Sequence, residues 1–524
     1  MSITKLIRPQ WLIFICFAVL YTLTRTTVHG PAEDAWLMVI DITRADFINL
    51  FHPHHLLYAP FAKSWWNMWH FLGMDDAYAT IQMLNCLIGS AALWQLYMLC
   101  KDMRLSNVTG IWIVSVTGVS FAVWWLSCEI ETAALAFLFG LIAIRSIYSL
   151  YVKGLTTGRI IVTGIVTVIA VSAHIFHLVL GLLGLYVLLT ASILDSNDGK
   201  MRTSNKRFIY SGVFLLIFTI GVLLVYSVID LITGSNLGAV GYLVGYFETN
   251  PEVSLNLKTP LLFGVGLIRS LFGVEVLFGI PAIADMAVTY FPDKDFTDEL
   301  FMVRNISVII AYILAFLMLI ITVVLGYIAV VVLKKIPKLD TASKCDAMFI
   351  IVALVTIALP SIVAGPILSG ATANNEHLLL FQAMFFLGVG LVFERSGVIP
   401  KVHRIIAVSI FILLLTVNGL GSISAMMKQD NDLNSSVFQK WKEVVKPSDL
   451  MIVKLTERDA AALSYLTEAK TVNLMHNSMV SHEYLSNWID KRHANVWIQQ
   501  DMAADGVKYP SVKGFRLRKW SRNK

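Results

Sequence analysis

Long apolar runs punctuate this chain, and they limit its fold more than any motif does. A helix needs about 20 apolar residues to cross the roughly 30 Å hydrocarbon core of a bilayer. Runs of about that length recur near 10–28, 77–100, 106–127, 130–151, 159–174, 176–194, 207–232, 305–333, 346–366, 378–393 and 402–422. Backbone in lipid must satisfy its own polar groups, so each run is predicted to be a helix. The expected fold class is an all-α polytopic membrane protein with about eleven transmembrane helices. Composition agrees: 57% of the 524 residues are hydrophobic and 15% are charged, against about 25% charged in soluble chains. The stretch 260–290 is apolar but interrupted by Arg269, Glu275, Pro281 and Asp285. It is predicted to form interfacial or re-entrant helices.

Basic residues set orientation. Lys5 and Arg8 precede the first run, and its flanks lack a small-residue cleavage site, so an uncleaved first span is expected. Later connections carry "KDMR", "YVKGLTTGR", "DGKMRTSNKR", "LKKIPK" and "ERSGVIPKVHR". All fall on one side if the N-terminus is cytoplasmic, and an odd number of crossings then places the C-terminus outside. The net charge of +6 is modest and comes with no basic–aromatic module, so nucleic acid is not an expected partner. The five cysteines lie in or beside apolar stretches with no CxxC pair, which suggests neither a metal knuckle nor a disulfide framework.

From residue 428 to 524 the sequence becomes that of an ordinary soluble domain. "SVFQKWKEVV", "ERDAAALSYL" and "HEYLSNWIDKR" read as helices, and "DLMIV", "KTVNL" and "NVWIQ" as strands. The alternation predicts a small parallel α/β domain on the extracytoplasmic face. Residues 1–427 then form the membrane domain.

Charges inside or beside spans are costly and mark functional candidates. With the orientation above, they converge on one leaflet. Glu33, Asp34, His52, His54 and His55 fall in the first external loop, where "FHPHHLLYAP" places three histidines in four positions. Glu129 and Glu131 lie in "WWLSCEIETAAL", His174 and His177 in "SAHIFHLVL", and Glu376 and His377 in "ANNEHLLLF". Arg269 and Arg304 lie within and just after the interrupted stretch. The first loop also holds two segments of helical periodicity, "AWLMVIDITRADFINLF" and "LLYAPFAKSWWNMWHFL". Both are predicted to be amphipathic helices in the interface plane, with the histidines in the turn between them.

At these residues the chain resembles the GT-C superfamily of integral-membrane glycosyltransferases, and within it the branch of protein O-mannosyltransferase-like and uncharacterised bacterial members. The likeness rests on "EDAW" after the first span, "HPHHLLYAP" from His52, "WWLSCEIETA", and "AHIFHLVLGL". It covers roughly the first 195 residues well and the rest in architecture. "PHH" stands where the family has "PPG", and Thr132 lies in the usual tyrosine region. The resemblance implies transfer of a sugar from a polyprenyl-phosphate donor, with inversion, to a protein, lipid or glycan acceptor on the extracytoplasmic face. The protein would sit among the lipids of a bacterial inner membrane. An acidic residue of the first loop would be general base; position favours Asp34, with Glu33 competing, and Glu131 is a further catalytic candidate.

Such chemistry needs a carboxylate to take the acceptor proton and a cation to stabilise the leaving phosphate. Arg269 and Arg304 are the expected phosphate partners, with Lys258 a weaker one. His52, His54, His55, His174, His177, Glu376 and His377 are expected to line the substrate site. Asp34, Glu131 and the histidines leave a divalent metal open, although no spaced motif such as HExxH is present. Each residue also has a plainer reading: Asp34 and Glu131 as helix caps, His52 to His55 as interfacial polar groups, His174 and His177 as backbone partners at a helix break, and the arginines as headgroup charges. A secondary transporter and a non-catalytic assembly protein are the competing functions.

Overall fold

In a computed structural model the chain is mostly helical, with a small sheet near its C-terminus. The structure describes residues 9–29, 34–190, 193–194, 201–202, 206–244, 258–290, 296–360, 362, 375–396, 401–474, 489, 494–500 and 516–519. In chain order the helices begin with α1 (Pro9–Leu23), α2 (Ala35–Arg44), α3 (Tyr58–Phe71), α4 (Ala77–Asp102), α5 (Asn107–Gly118), α6 (Phe121–Cys128), α7 (Ala133–Lys153), α8 (Thr157–Ala173) and α9 (Leu180–Thr190). They continue with α10 (Lys206–Thr233), α11 (Gly238–Val244), α12 (Lys258–Leu271), α13 (Pro281–Tyr290), α14 (Thr297–Val303), α15 (Val308–Lys335) and α16 (Thr341–Leu359), followed by helices Leu379–Arg395 and Lys401–Asn418.

Starts are set by short polar side chains that accept the first free amides. Asp76 accepts from the Ala79 amide at 3.0 Å, Ser106 from Thr109 at 3.2 Å, and Asp340 from Ser343 at 2.9 Å. Among the described residues six helices are long and apolar enough to cross a membrane, or seven if the pair α5 and α6 counts as one span, rather than about eleven. The expected runs are thus helical, but several are too short to cross unaided. The first ends at Leu23 rather than near residue 28. The run at 106–127 is two helices bent by 66°.

That bend is held by side chains from elsewhere. Leaving the helix frees three carbonyls, each of which needs a donor in an apolar interior. Ser120 Oγ donates to Thr117 O at 2.6 Å, Tyr21 OH to Gly118 O at 2.8 Å, and Asn418 Nδ2 to Val119 O at 2.8 Å. The same Asn418 amide donates to Leu271 O at 2.9 Å, and its Oδ1 accepts from the Gly273 amide at 3.2 Å. One buried asparagine therefore closes two helix breaks. The interrupted stretch is three pieces, α12, a 3-10 turn Val274–Gly279 and α13.

The first-loop helices are both present, though α2 stops at Arg44 and resumes as a 3-10 turn Phe47–Leu50. Lys63 of α3 accounts for the stop, donating to Ile42 O at 2.9 Å and Ala45 O at 2.7 Å. The apolar face of α2 buries Trp36, Val39 and Ile42.

The tail carries strands β3 (Leu450–Val453), β4 (Lys470–Asn473), β5 (Val496–Gln499) and β6 (Leu517–Lys519), after a two-residue pair β1 (Ile193–Leu194) and β2 (Met201–Arg202). The tail sheet has order β4-β3-β5-β6. β3 is parallel to β4 and β5, as the alternation predicts, but β6 is antiparallel, so the sheet is mixed. Helix Glu457–Thr467 links β3 to β4 and packs on α2, where Arg44 donates to the Ser464 hydroxyl at 2.8 Å and carbonyl at 3.0 Å. The predicted helix "HEYLSNWIDKR" lies outside the described residues, Ile489 excepted.

Replacing Asn418 with Leu strands two carbonyls and an amide at once. Each buried orphan costs about 1–3 kcal/mol, so we expect a loss of at least about 3 kcal/mol, measured as a lower thermal unfolding midpoint of the purified protein.

Candidate functional site

The two ends of the helices differ in kind. At one end the basic connections meet: Arg145 pairs with Asp102 at 2.5 Å, Glu394 accepts from the Ser106 amide at 2.9 Å, and Arg395 donates to Met103 O at 3.0 Å. At the other end lie the α1 exit, the α6–α7 and α8–α9 breaks, the first loop and the segment before Leu379. The acidic and histidine candidates lie at this second end.

Glu129 organises the α6–α7 break. Its side chain is wholly buried, and four groups bond to it. Tyr78 OH donates to Oε1 at 2.6 Å and the Ile130 amide at 2.7 Å, while Thr26 donates to Oε2 at 2.7 Å and His29 Nδ1 lies 2.9 Å from Oε2. Burial alone would raise the carboxyl, but His29, Thr26 and Tyr78 outweigh it and hold it below the usual carboxylate range. Burial likewise opposes a charge on His29, yet Glu129 lifts the imidazole above its ordinary value. Both shifts describe one ion pair. The His29 amide in turn donates to Asp432 Oδ2 at 2.6 Å, and the Thr27 amide to Met426 O at 2.7 Å. Asn85 completes the break, donating to the carbonyls of Glu129 at 2.5 Å and Glu131 at 2.8 Å.

Glu131, two residues on, has the opposite fate. It is buried, and burial, then the charges of Asp34, Glu376 and Glu129, push its carboxyl well above the usual range. Asp34 is exposed at the start of α2 and makes no side-chain capping bond there. The structure thus brings Asp34 and Glu376 within electrostatic reach of Glu131, which is buried while Asp34 is exposed. Glu33 and the side chain of His377 lie outside the described residues.

The histidines form a second group. His52 and His55 close a tight turn and their rings stack at 4.5 Å, while His54 and His55 each lie 6.4 Å from the His174 ring. Three carbonyls fix this loop: Tyr242 OH donates to Phe51 O at 2.6 Å, Tyr226 OH to Pro53 O at 2.8 Å, and the Ile175 amide to His54 O at 2.9 Å. Burial lowers all three loop imidazoles, His54 to about 4 with help from His52. At the α8–α9 break His174 Nδ1 accepts from the Phe176 amide at 3.2 Å, and His177 Nδ1 donates to Ala170 O, 2.9 Å away. Both rings also line a cavity of about 30 Å³ shared with Glu376 and Phe137, room for about one water.

The arginines sit apart from the histidines. Arg269, one-third exposed on α12, lies 3.9 Å from Glu275, and α12 packs beside the Asn375–Leu378 turn that carries Glu376. Arg304 donates to Phe301 O at 2.6 Å and Asp430 O at 2.5 Å, and its guanidinium covers the Phe301 ring. It straps the tail to α14. The Lys258 side chain lies outside the described residues. Among the described residues no three His, Cys, Asp or Glu side chains are placed to hold a metal ion.

Sequence reasoning missed His29, Thr26, Tyr78, Asn85 and Asp432. One signal was available: Tyr78, Gln82 and Asn85 fall at helical spacing on a single face of an otherwise apolar α4.

The sequence matches no protein-family profile and no curated protein. Among solved structures, the archaeal oligosaccharyltransferase AglB from Archaeoglobus fulgidus, in complex with an inhibitory peptide and a dolichol-phosphate, superposes with a TM-score of 0.48 at 11% identity, over 94% of this chain and 69% of that one. The apo form of the Archaeoglobus fulgidus oligosaccharyltransferase gives 0.47 at 11% identity over 94% and 69%, and its complex with zinc and sulfate 0.43 at 9% over 93% and 68%. These are likenesses of backbone path.

Two outcomes are expected. Glu129→Leu removes the partner of a buried cation, which costs about 3–5 kcal/mol, seen as a lowered unfolding midpoint. The loop histidines act through pH. Between the ordinary value of 6.5 and about 4 for His54, the unfolded chain binds a proton that the folded one refuses. Stability therefore falls as pH drops through that window, and His54→Asn makes the decline shallower in a pH series of thermal melts.

Proposed function

We propose that the protein is a membrane glycosyltransferase that moves a sugar from a polyprenyl-phosphate carrier to an acceptor hydroxyl or amide. The observation that carries this reading is a pair of carboxyls in unlike surroundings at one end of the helices, Asp34 exposed and Glu131 buried, with burial and the Asp34 charge pushing the Glu131 carboxyl up. Environments that push two carboxyls apart give one of them the base role and the other the role of neutral hydrogen-bond donor.

Asp34 takes the acceptor proton as the acceptor atom bonds to the anomeric carbon. The bond from that carbon to the phosphate oxygen breaks on the opposite face, and the phosphate leaves with the electron pair. Glu131 stays protonated and donates a hydrogen bond to the sugar or acceptor. Arg269, beside the Glu376 turn, meets the charge growing on the phosphate. We assign Arg304 to docking of the tail, since backbone carbonyls occupy its donors. His174 and His177 flank the site, and their Nδ1 bonds fix the tautomers. The site end is extracytoplasmic in this reading, because the basic connections gather at the other end. Its place at helix ends supports an enzyme over a secondary transporter, whose site forms near the bilayer midplane.

The test is transfer from a polyprenyl-phosphate sugar in proteoliposomes. Asp34→Asn is expected to lower kcat by about 10²–10⁴, the usual worth of a positioned base, with the protein still folded. Glu131→Gln, which keeps a neutral donor, is expected to retain most activity. Equal rates for Asp34→Asn and the parent sink the assignment of the base. Arg269→Ala should raise KM for the donor more than it lowers kcat; an unchanged KM removes Arg269 from the phosphate.

A further inference from the structure

The end of the helices that holds the carboxyls also holds a polar cleft of about 490 Å³. The exit of α1, the start of α2, the first turns of α4 and the tail form its walls. Pockets for small molecules span about 300–1,000 Å³, so the cleft is of a size to take one.

Its walls carry hydrogen-bonding groups of both kinds. His29 gives Nδ1 to Glu129 at 2.9 Å, and as the cation of that ion pair it donates to the cleft through Nε2, the nitrogen it has left. Gln82 spends its amide on Thr26 O at 2.8 Å and Thr26 Oγ1 at 3.3 Å, which leaves its carbonyl oxygen to accept. The Ser435 hydroxyl does either. Burial holds all three side chains in place, Gln82 and Ser435 at 4% exposure and His29 at 8%. The charges balance: Arg25 and Asp76 both line the cleft, and Glu129 matches His29. An anion drawn by Arg25 is opposed by Asp76. Half-buried Tyr465 of the tail adds an aromatic ring, 5.5 Å from Trp36 and 6.1 Å from Tyr78.

We propose that this cleft binds a neutral saccharide. Each sugar hydroxyl both donates and accepts, as a wall of mixed donors and acceptors requires, and the C–H face of a sugar ring suits the electron-rich face of Tyr465. A peptide fits less well. Peptides dock by adding main chain to a sheet edge or by laying an amphipathic helix in an apolar groove. No strand of the tail sheet lines this cleft among the described residues, and its hydrogen-bonding groups are side chains. Trp36 of the wall follows Asp34 by two residues, so the saccharide is the acceptor of the transfer. That role rests on the glycosyl-transfer reading; the binding does not.

The test uses the full chain in lipid nanodiscs, free of sugar-based detergent, and saturation-transfer NMR. The probes are methyl glycosides of glucose, mannose, galactose and N-acetylglucosamine, with N-acetyl-trialanine amide and inorganic phosphate as rivals. At least one glycoside is expected to bind saturably and to be displaced by neither rival. Ser435→Ala should weaken it about fivefold, the worth of one neutral hydrogen bond. Gln429→Trp fills the cleft from an exposed position of the tail and should abolish binding. Absence of saturable glycoside binding, tighter binding of peptide or phosphate, or indifference to both substitutions overturns the proposal. With a polyprenyl-phosphate sugar in proteoliposomes, the bound glycoside is expected to gain a sugar. Extension of another acceptor but not of this glycoside removes its acceptor role. No transfer to any acceptor sinks the glycosyl-transfer reading and leaves the saccharide site standing.

Discussion

A backbone carbonyl inside lipid has only protein to bond to, and each break in a helix leaves several without a partner. This constraint governs the molecule. Most functional candidates sit at or near helix ends, and these stops are supplied with side-chain donors, some local and some from distant parts of the chain. Tyr21, Ser120 and Asn418 serve the α5–α6 bend. Asn85 serves the α6–α7 break, and His177 takes up Ala170 O at the end of α8. Irregular backbone is useful for holding reactive groups, but a membrane tolerates it only when every freed group is matched. The polar side chains near the site are therefore first a solution to a bonding problem.

Glu129 and Glu131 show how two residues of one type, two positions apart, take different states. Glu129 meets a histidine, two hydroxyls and an amide, and keeps its charge in spite of burial. Burial, with the field of other carboxylates, pushes the Glu131 carboxyl up instead. Burial is common to both, so the neighbours account for the difference.

Much of this was legible beforehand. Apolar runs announce helices through their composition, and the tail strands at 450–453, 470–473 and 496–499 follow from β-branched and aromatic runs between turn residues. The clustering of acids and histidines at one end follows from span parity. Other features were not legible. The 66° bend in the third run leaves the apolar run unbroken, because its partners lie about 100 and 300 residues away in sequence. β6 is three residues long, too short for periodicity to register. His29 looked ordinary beside Gly30 and Pro31, because only folding brings Glu129 to it. Arg304 drew attention as a charge near a span, whereas its bond to Asp430 of the tail, about 126 residues on, is visible only in the fold.

The composition changes near residue 428, yet the mechanical seam does not lie there. Asp432 reaches back across that line to grip the amide of His29, and His29 is the counter-ion of Glu129. The soluble-looking tail is thus a keystone for the membrane half. Severing the polypeptide at its apparent domain border would remove the acceptor of the His29 amide and loosen the floor of the α6–α7 break.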